Sequence, residues 1–158
     1  MKPLHRKMKQ AAVALAFALA FAGPAAAAGD AHEHGHGAGE ARLVLDHGRK
    51  WQTDAPLRQG MENIRAAVAR DVKAIHADKA TPKQYEALAD KVSGEVAYIV
   101  QNCKLPEDAD AQLHLVIAEL LAGADAMKAD HRREGVERVV NALNRYGEFF
   151  NHPGWRKL

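Results

Sequence analysis

Apolar side chains recur every three or four positions through most of the chain after residue 50. This spacing predicts amphipathic α-helices. Four such stretches are present, and they begin after Asp54, after Thr81, after Pro106 and near Arg132. No stretch shows the period of two that a half-buried β-strand would need. The pattern therefore predicts a chain built from helices.

Capping residues agree with these four starts. Asp54 precedes the first stretch, with Pro56 in the predicted first turn, and Thr81 precedes Pro82 at the second. Such residues favour helix initiation, because a side-chain oxygen can accept from a free backbone N–H. The fourth stretch ends at residues 151–154, where Pro153 and Gly154 stop a helix.

Four helices of about 20 residues, each roughly 30 Å long, can bury their apolar stripes most simply in a four-helix bundle. Short connections favour up-down-up-down antiparallel order. The predicted fold class is therefore all-α, with the bundle at residues 51–158. An open helical array would need an internal repeat, and the sequence shows none.

The first 28 residues have the pattern of a signal peptide. Four basic residues precede an apolar run at 11–22, and small residues follow up to Ala28. The run is shorter than the roughly 20 residues that span a bilayer. The sequence predicts cleavage after Ala28, a periplasmic location and no integral membrane segment.

Removal of this segment changes the sign of the net charge. The whole chain has 22 Lys and Arg against 20 Asp and Glu, a formal charge of +2. Taking the four basic residues of the signal peptide from these 22 leaves 18 basic and 20 acidic residues, a charge of −2. A slightly acidic chain without basic runs argues against nucleic acid as a partner.

Residues 29–50 are predicted to form a flexible, His-rich tail and lead-in, disordered in its His/Gly-rich part. The tail carries His32, His34 and His36 at alternating positions. Imidazoles spaced in this way can bind a transition-metal ion. A solvated linker with only weak metal affinity explains the same composition.

An up-down bundle brings four further candidate ligands to one end. This end collects Met61, Cys103, His114 and His152, if the helices alternate in direction. Thioether, thiol and imidazole donors suit copper among the transition metals. The sequence therefore predicts a metal site at this end.

Each of these residues also has a structural interpretation. Met61 lies in the apolar stripe of the first helix and can simply fill the core. Cys103 is the only cysteine, so an internal disulfide is impossible; it can be a buried thiol, an intermolecular link or a ligand. His114 can be a boundary residue, and His152 can be a cation near a helix C-terminus.

Enzyme signatures are missing from the sequence. It contains no Gly-x-Ser-x-Gly, no His-Glu-x-x-His and no phosphate-binding glycine loop. We therefore predict a protein that is not an enzyme.

Several segments resemble a small family of exported proteobacterial proteins labelled DnrO, which has no established activity. The resemblance rests on Tyr146 and on the stretches at 51–61, 102–106, 110–114 and 150–155. It covers residues 43–155 and implies little about mechanism.

The stretch Leu57-Arg-Gln-Gly-Met61 is also similar to the first helix of soluble periplasmic four-helix cytochromes of the b type. This resemblance implies haem b with Met61 and His152 as axial ligands. The chain departs from the family because His152 follows the predicted end of the last helix. The c-prime type is excluded in its covalent form, because the sequence has no Cys-x-x-Cys-His.

Three functional hypotheses result. The first is a non-catalytic periplasmic transition-metal-binding protein, with copper favoured, in metal handling or tolerance. The second is an electron-transfer protein with haem b. The third is a structural or interaction module without a cofactor, which would dock a periplasmic protein partner or form a homodimer.

Overall fold

The computed structural model describes residues 42–158, which form four antiparallel α-helices in up-down-up-down order. The predicted all-α four-helix fold is confirmed. The helices are α1 (Ala55–His76), α2 (Pro82–Asn102), α3 (Glu107–Lys128) and α4 (Arg132–Phe149). Each helix packs against the next along the chain, and α4 returns to α1.

The helix starts follow from local capping. Asp54 Oδ1 accepts a hydrogen bond from the backbone N–H of Leu57 at 2.9 Å and so caps α1. Thr81 and Gln84 form a reciprocal capping box at the start of α2. Helix α3 has no side-chain cap, but its first turn carries Glu107, Asp108 and Asp110. Their negative charges interact favourably with the positive, N-terminal end of the helix dipole.

The apolar stripes of the four helices meet in one core. Within residues 42–158, every fully buried side chain is apolar or aromatic, and no charged or polar residue is buried. The largest fully buried side chains include Tyr146, Phe150, Leu57, Met61, Ile64, Leu88, Ile99, Leu113, Leu120, Met127, Leu143 and Val68. Burial of this apolar surface is the main favourable contribution to folding.

Helices α3 and α4 lie close to each other at two glycines. A methyl carbon added at Gly123 would lie 2.7 Å from the carbonyl oxygen of Gly135. One added at Gly135 would lie 2.5 Å from the carbonyl oxygen of Gly123. The two backbones can come this close only because neither residue has a side chain.

A minimal parallel sheet joins the beginning of the bundle to its end. Strand β1 (Trp51–Gln52) pairs with β2 (Phe150–Asn151), with Trp51 opposite Phe150. The hydroxyl of Thr53 adds a hydrogen bond of 2.7 Å to the carbonyl oxygen of Asn151. Strands of two residues are too short to show an alternating pattern, so the sequence does not predict them.

The lead-in before β1 packs on the bundle. Leu43 is 8% exposed and joins the core. The backbone N–H of Val44 donates to Gln112 Oε1 of α3 at 2.8 Å, and Trp51 Nε1 donates to the carbonyl oxygen of Val44 at 2.7 Å. The lead-in thus reaches α3 at the end of the bundle where β1 pairs with β2.

The predicted signal peptide and the histidine tail lie outside the described residues. None of the described helices is long and apolar enough to cross a membrane.

Candidate metal site

Cys103 lies where α2 ends. Its backbone N–H donates to the carbonyl oxygen of Ile99 at 2.9 Å and closes the last turn. The side chain is partly buried, and Cys103 is the only cysteine of the chain. Its position at the α2–α3 connection agrees with the end of the bundle that the sequence analysis predicted.

Partial burial raises the pKa of the Cys103 thiol to about 11, and the negative charges of Asp54 and Asp110 add to this effect. A hydrogen bond from the backbone of Leu105 acts in the opposite direction and is weaker. The thiol is therefore protonated at neutral pH, and a metal ion would have to displace the proton to bind the sulfur.

His114 lies about two turns inside α3, and its side chain is 62% exposed. Its Nδ1 is 2.9 Å from the backbone carbonyl oxygen of Asp110 and 3.3 Å from the Asp110 carboxylate. A carbonyl oxygen can only accept, so this hydrogen bond places the proton on Nδ1. In the neutral ring, Nε2 then keeps its lone pair.

Cys103 and His114 line the same cavity, which has a volume of about 340 Å³. It lies between the end of α2 and the start of α3. The other lining residues are Val100, Lys104, Leu105, Asp110, Leu113 and Ile117. The structure therefore places one thiol and one imidazole on the wall of a single cavity.

Met61 and His152 are not part of this pair. Met61 is fully buried in the core, and neither Met61 nor His152 lines this cavity. Across residues 42–158, no three side chains of His, Cys, Asp or Glu form a group that could hold a metal ion. Cys103, His114 and His152 thus do not converge on one position.

His152 instead belongs to an aromatic cluster that packs the C-terminal segment onto α4. Its Nδ1 is hydrogen-bonded to the Tyr146 hydroxyl at 3.1 Å. Its ring centroid lies 4.9 Å from that of Trp155, which in turn packs edge-on to Tyr146. The Trp155 ring also packs against Gly147, where any side chain would collide with it.

Burial lowers the pKa of the His152 imidazole. The carboxylate of Glu62 opposes this shift, whereas the guanidinium groups of Arg58 and Arg65 add to it. The pKa of Tyr146 is raised, chiefly by burial, so its hydroxyl stays protonated. The geometry gives the haem alternative, which needs Met61 and His152 as axial ligands, no further support.

Comparison of the chain with protein-family models, with curated proteins and with solved structures found no match. The resemblances to the DnrO proteins and to the b-type cytochromes remain predictions from the sequence.

Two residues of this site, Asp110 and Lys104, were not predicted from the sequence. Asp110 orients His114, and Lys104 lies on the rim of the cavity. The spacing of four residues between Asp110 and His114 would have indicated their contact, because positions i and i+4 of a helix are neighbours. No local signal could have placed Lys104.

Proposed function

We propose that this protein is a non-catalytic, periplasmic transition-metal-binding protein, that copper is the favoured metal, and that Cys103 and His114 are its ligands in the bundle. The observation that carries the proposal is the cavity that both residues line. The proposed role is in metal handling or tolerance.

The orientation of His114 supports a ligand role. Histidines that bind metals commonly donate their second ring N–H to a carbonyl or carboxylate, which fixes the ring and its tautomer. His114 makes this contact with Asp110 through Nδ1, and Nε2 is left for a metal ion.

The donor types favour copper in its reduced state. A thiolate and an imidazole are soft and borderline donors, and Cu(I) accepts them with low coordination numbers. The raised pKa of the Cys103 thiol favours ions that bind sulfur strongly enough to displace its proton. Hard cations such as Mg²⁺ and Ca²⁺ prefer oxygen ligands and do not fit this pair.

His32, His34 and His36 complete the proposal as an auxiliary capture segment. They lie outside the described residues, so their contribution rests on the sequence pattern alone. Metal binding by this segment has to be separated from binding by the bundle in any experiment.

The test is an anaerobic Cu(I) titration against a chromogenic chelator. The background carries His32→Ala, His34→Ala and His36→Ala, so that only the bundle site is measured. Replacing Cys103 by Ser, or His114 by Gln, should weaken Cu(I) binding by about tenfold or more, as expected on loss of a ligand. Circular dichroism establishes that each variant is folded.

Three control variants sharpen the result. His131 is a solvent-exposed histidine before α4, and His131→Gln should leave the affinity unchanged. Met61→Leu and His152→Gln distinguish the proposed pair from the four-ligand set of the sequence analysis, and should also have no effect. Unchanged affinity in a Cys103→Ser, His114→Gln double variant would overturn the proposal.

A further inference from the structure

The chain turns back on α4 directly after β2. The backbone N–H of Trp155 donates to the carbonyl oxygen of His152 at 3.1 Å and closes a β-turn. Pro153 and Gly154 occupy its two central positions, and Gly154 has a φ of +80°, as expected for the third residue of a type II turn. We call residues 152–158, which the turn directs back along α4, the C-terminal strap.

The indole N–H of Trp155 is buried without a hydrogen-bond partner. Trp155 Nε1 is inaccessible to water, and it has no acceptor among residues 42–158. The ring packs against Gly147 of α4. A donor that loses its water partner and gains no other destabilises the docked strap, and undocking returns the donor to water. Trp51 is the opposite case, because its Nε1 donates to the carbonyl oxygen of Val44 at 2.7 Å.

His152 links the strap to the core through a polar contact. Its Nδ1 lies 3.1 Å from the hydroxyl of Tyr146, whose side chain is fully buried. The neutral imidazole can accept from this hydroxyl at Nδ1, whereas the protonated ring carries N–H groups on both nitrogens and can only donate. Protonation of His152 therefore removes the acceptor of a buried O–H group, which is costly.

Charged side chains of α1 surround the same imidazole. Arg58 and Arg65 bring positive charge near it, and Glu62 brings negative charge. Arg65 Nε donates to Glu62 Oε2 at 3.0 Å, and the Arg65 guanidinium also lies 5.9 Å from the centre of the Trp155 ring. Burial and the two guanidinium groups outweigh Glu62, so the pKa of His152 in the docked strap lies below its usual value.

The remaining contacts of the strap lie at the surface. Lys157 Nζ pairs with Glu148 Oε1 at 2.5 Å, and the backbone N–H of Leu158 donates to Asn144 Oδ1 at 3.2 Å. Exposed contacts of this kind contribute little to stability. Lys157 also holds the pKa of Glu148 below its usual range, so this pair keeps its charges in mildly acidic solution. Docking of the strap therefore depends mainly on its two aromatic rings.

We propose that the C-terminal strap is a pH-sensitive latch, which protonation of His152 releases from α4 while the four helices stay folded. In the released strap the imidazole is solvated, and its pKa returns to about 6.5. Because the docked ring binds a proton less readily, acidification below this value shifts the equilibrium towards release. No charged or polar side chain is buried in the core formed by residues 42–158, so the bundle has no corresponding buried group to titrate.

The release changes the environment of Trp155 and leaves the proposed metal site untouched. The indole N–H gains water as a partner, and the surface of α4 at Gly147 becomes uncovered. Neither Cys103 nor His114 belongs to the strap, so the latch and the proposed function can each be present without the other.

Nuclear magnetic resonance of the ¹⁵N-labelled protein tests the proposal through the two indole N–H groups. Hydrogen exchange gives a protection factor for each, which is corrected for the intrinsic effect of pH on exchange. Between pH 7.5 and pH 5.0, the protection of Trp155 should fall by about threefold or more. The protection of Trp51 should stay constant, and circular dichroism should show unchanged helix content.

Two histidine variants identify the titrating group. His152→Gln retains an acceptor oxygen for Tyr146 but binds no proton in this range, so the protection of Trp155 should no longer depend on pH. His131→Gln removes an exposed histidine before α4 and should keep the full response. The ring signals of His152 in the wild type should titrate with the same midpoint as the change at Trp155.

Three results would overturn the latch. The first is a protection of Trp155 that does not change with pH in the wild type. The second is an equal loss of protection at Trp51 and Trp155, which would indicate unfolding of the bundle instead of release of the strap. The third is a Trp155 response whose midpoint differs from that of the His152 ring, and this comparison holds even if His152→Gln undocks the strap at every pH.

Discussion

Asp54 and Lys104 are separated by 50 positions in the chain and joined by a hydrogen bond of 2.6 Å. The backbone N–H of Lys104 donates to Asp54 Oδ2, while Oδ1 of the same carboxylate caps α1 through Leu57. One side chain thus caps a helix and also fixes the α2–α3 connection, next to the proposed ligand Cys103.

We expect Asp54→Ala to lower the free energy of unfolding by about 2–4 kcal/mol, because it removes a helix cap and a second, charge-assisted hydrogen bond. The free energy of unfolding of Asp54→Asn should lie between those of the wild type and of Asp54→Ala, since an amide has one acceptor oxygen instead of two. Urea denaturation followed by circular dichroism measures the difference.

Asp90 provides the control for this substitution. Its carboxylate forms a surface ion pair with Lys128 and is 64% exposed. Asp90→Ala should therefore cost less than about 1 kcal/mol. A cost for Asp54→Ala as small as that of Asp90→Ala would contradict the double role of Asp54.

Replacing glycine by alanine should have opposite effects on stability in the α3–α4 contact and at an open position of α2. Gly123→Ala and Gly135→Ala each force a methyl group against backbone of the facing helix, and we expect a loss of about 1–3 kcal/mol or more. Gly94 lies within α2 with nothing near its missing side chain. Gly94→Ala should therefore stabilise the protein by about 0.5–1 kcal/mol.

Thermal unfolding distinguishes the two classes of glycine. The midpoint should fall for Gly123→Ala and Gly135→Ala and rise for Gly94→Ala. A rise for all three variants would show that the close approach of α3 and α4 does not constrain these positions.

His152 predicts a pH dependence of stability. Its pKa is lowered in the folded protein, chiefly by burial, so the unfolded chain binds the proton more readily. The stabilisation that neutral His152 provides is complete above its pKa in the unfolded chain, about 6.5. It is lost as the pH falls through the lowered pKa of the folded protein. The free energy of unfolding should therefore decrease on acidification below pH 6.5.

Urea unfolding of the wild type, of His152→Gln and of His131→Gln at pH 7.5 and pH 5.5 measures this contribution. The decrease between the two pH values should be smaller in His152→Gln than in the wild type. The exposed His131 serves as the comparison. If His152→Gln keeps the full decrease, the acid sensitivity comes from another group.

The thiol of Cys103 should react slowly at neutral pH. A pKa of about 11 leaves only a small fraction as thiolate, the form that attacks alkylating reagents. The rate of alkylation by iodoacetamide should rise about tenfold per pH unit up to pH 10 in the metal-free protein. Denaturant should restore the rate of an ordinary cysteine, with an inflection near pH 8.5.

Mass spectrometry of quenched samples measures this rate. The wild type needs no variant as control, because Cys103 is the only cysteine and the denatured protein is the internal reference. An inflection near pH 8.5 in the folded protein would contradict the raised pKa.

The helices of this protein were predictable because their signals are local. The period of 3.6 residues, the capping residues Asp54 and Thr81 and the stop at Pro153 act within a few positions of the chain. These signals predicted the positions of the four helices and, with the short connections, their alternating directions. The same alternation placed Cys103 and His114 at a common end of the bundle.

The sequence by itself therefore determined the helices, their direction and the end at which the candidate ligands lie. Only the tertiary structure decided which side chains meet there, because the rotation of each helix about its axis and the distance between helices depend on packing across the whole core. That packing buries Met61 and pairs His152 with Tyr146. It leaves Cys103 and His114 facing the same cavity.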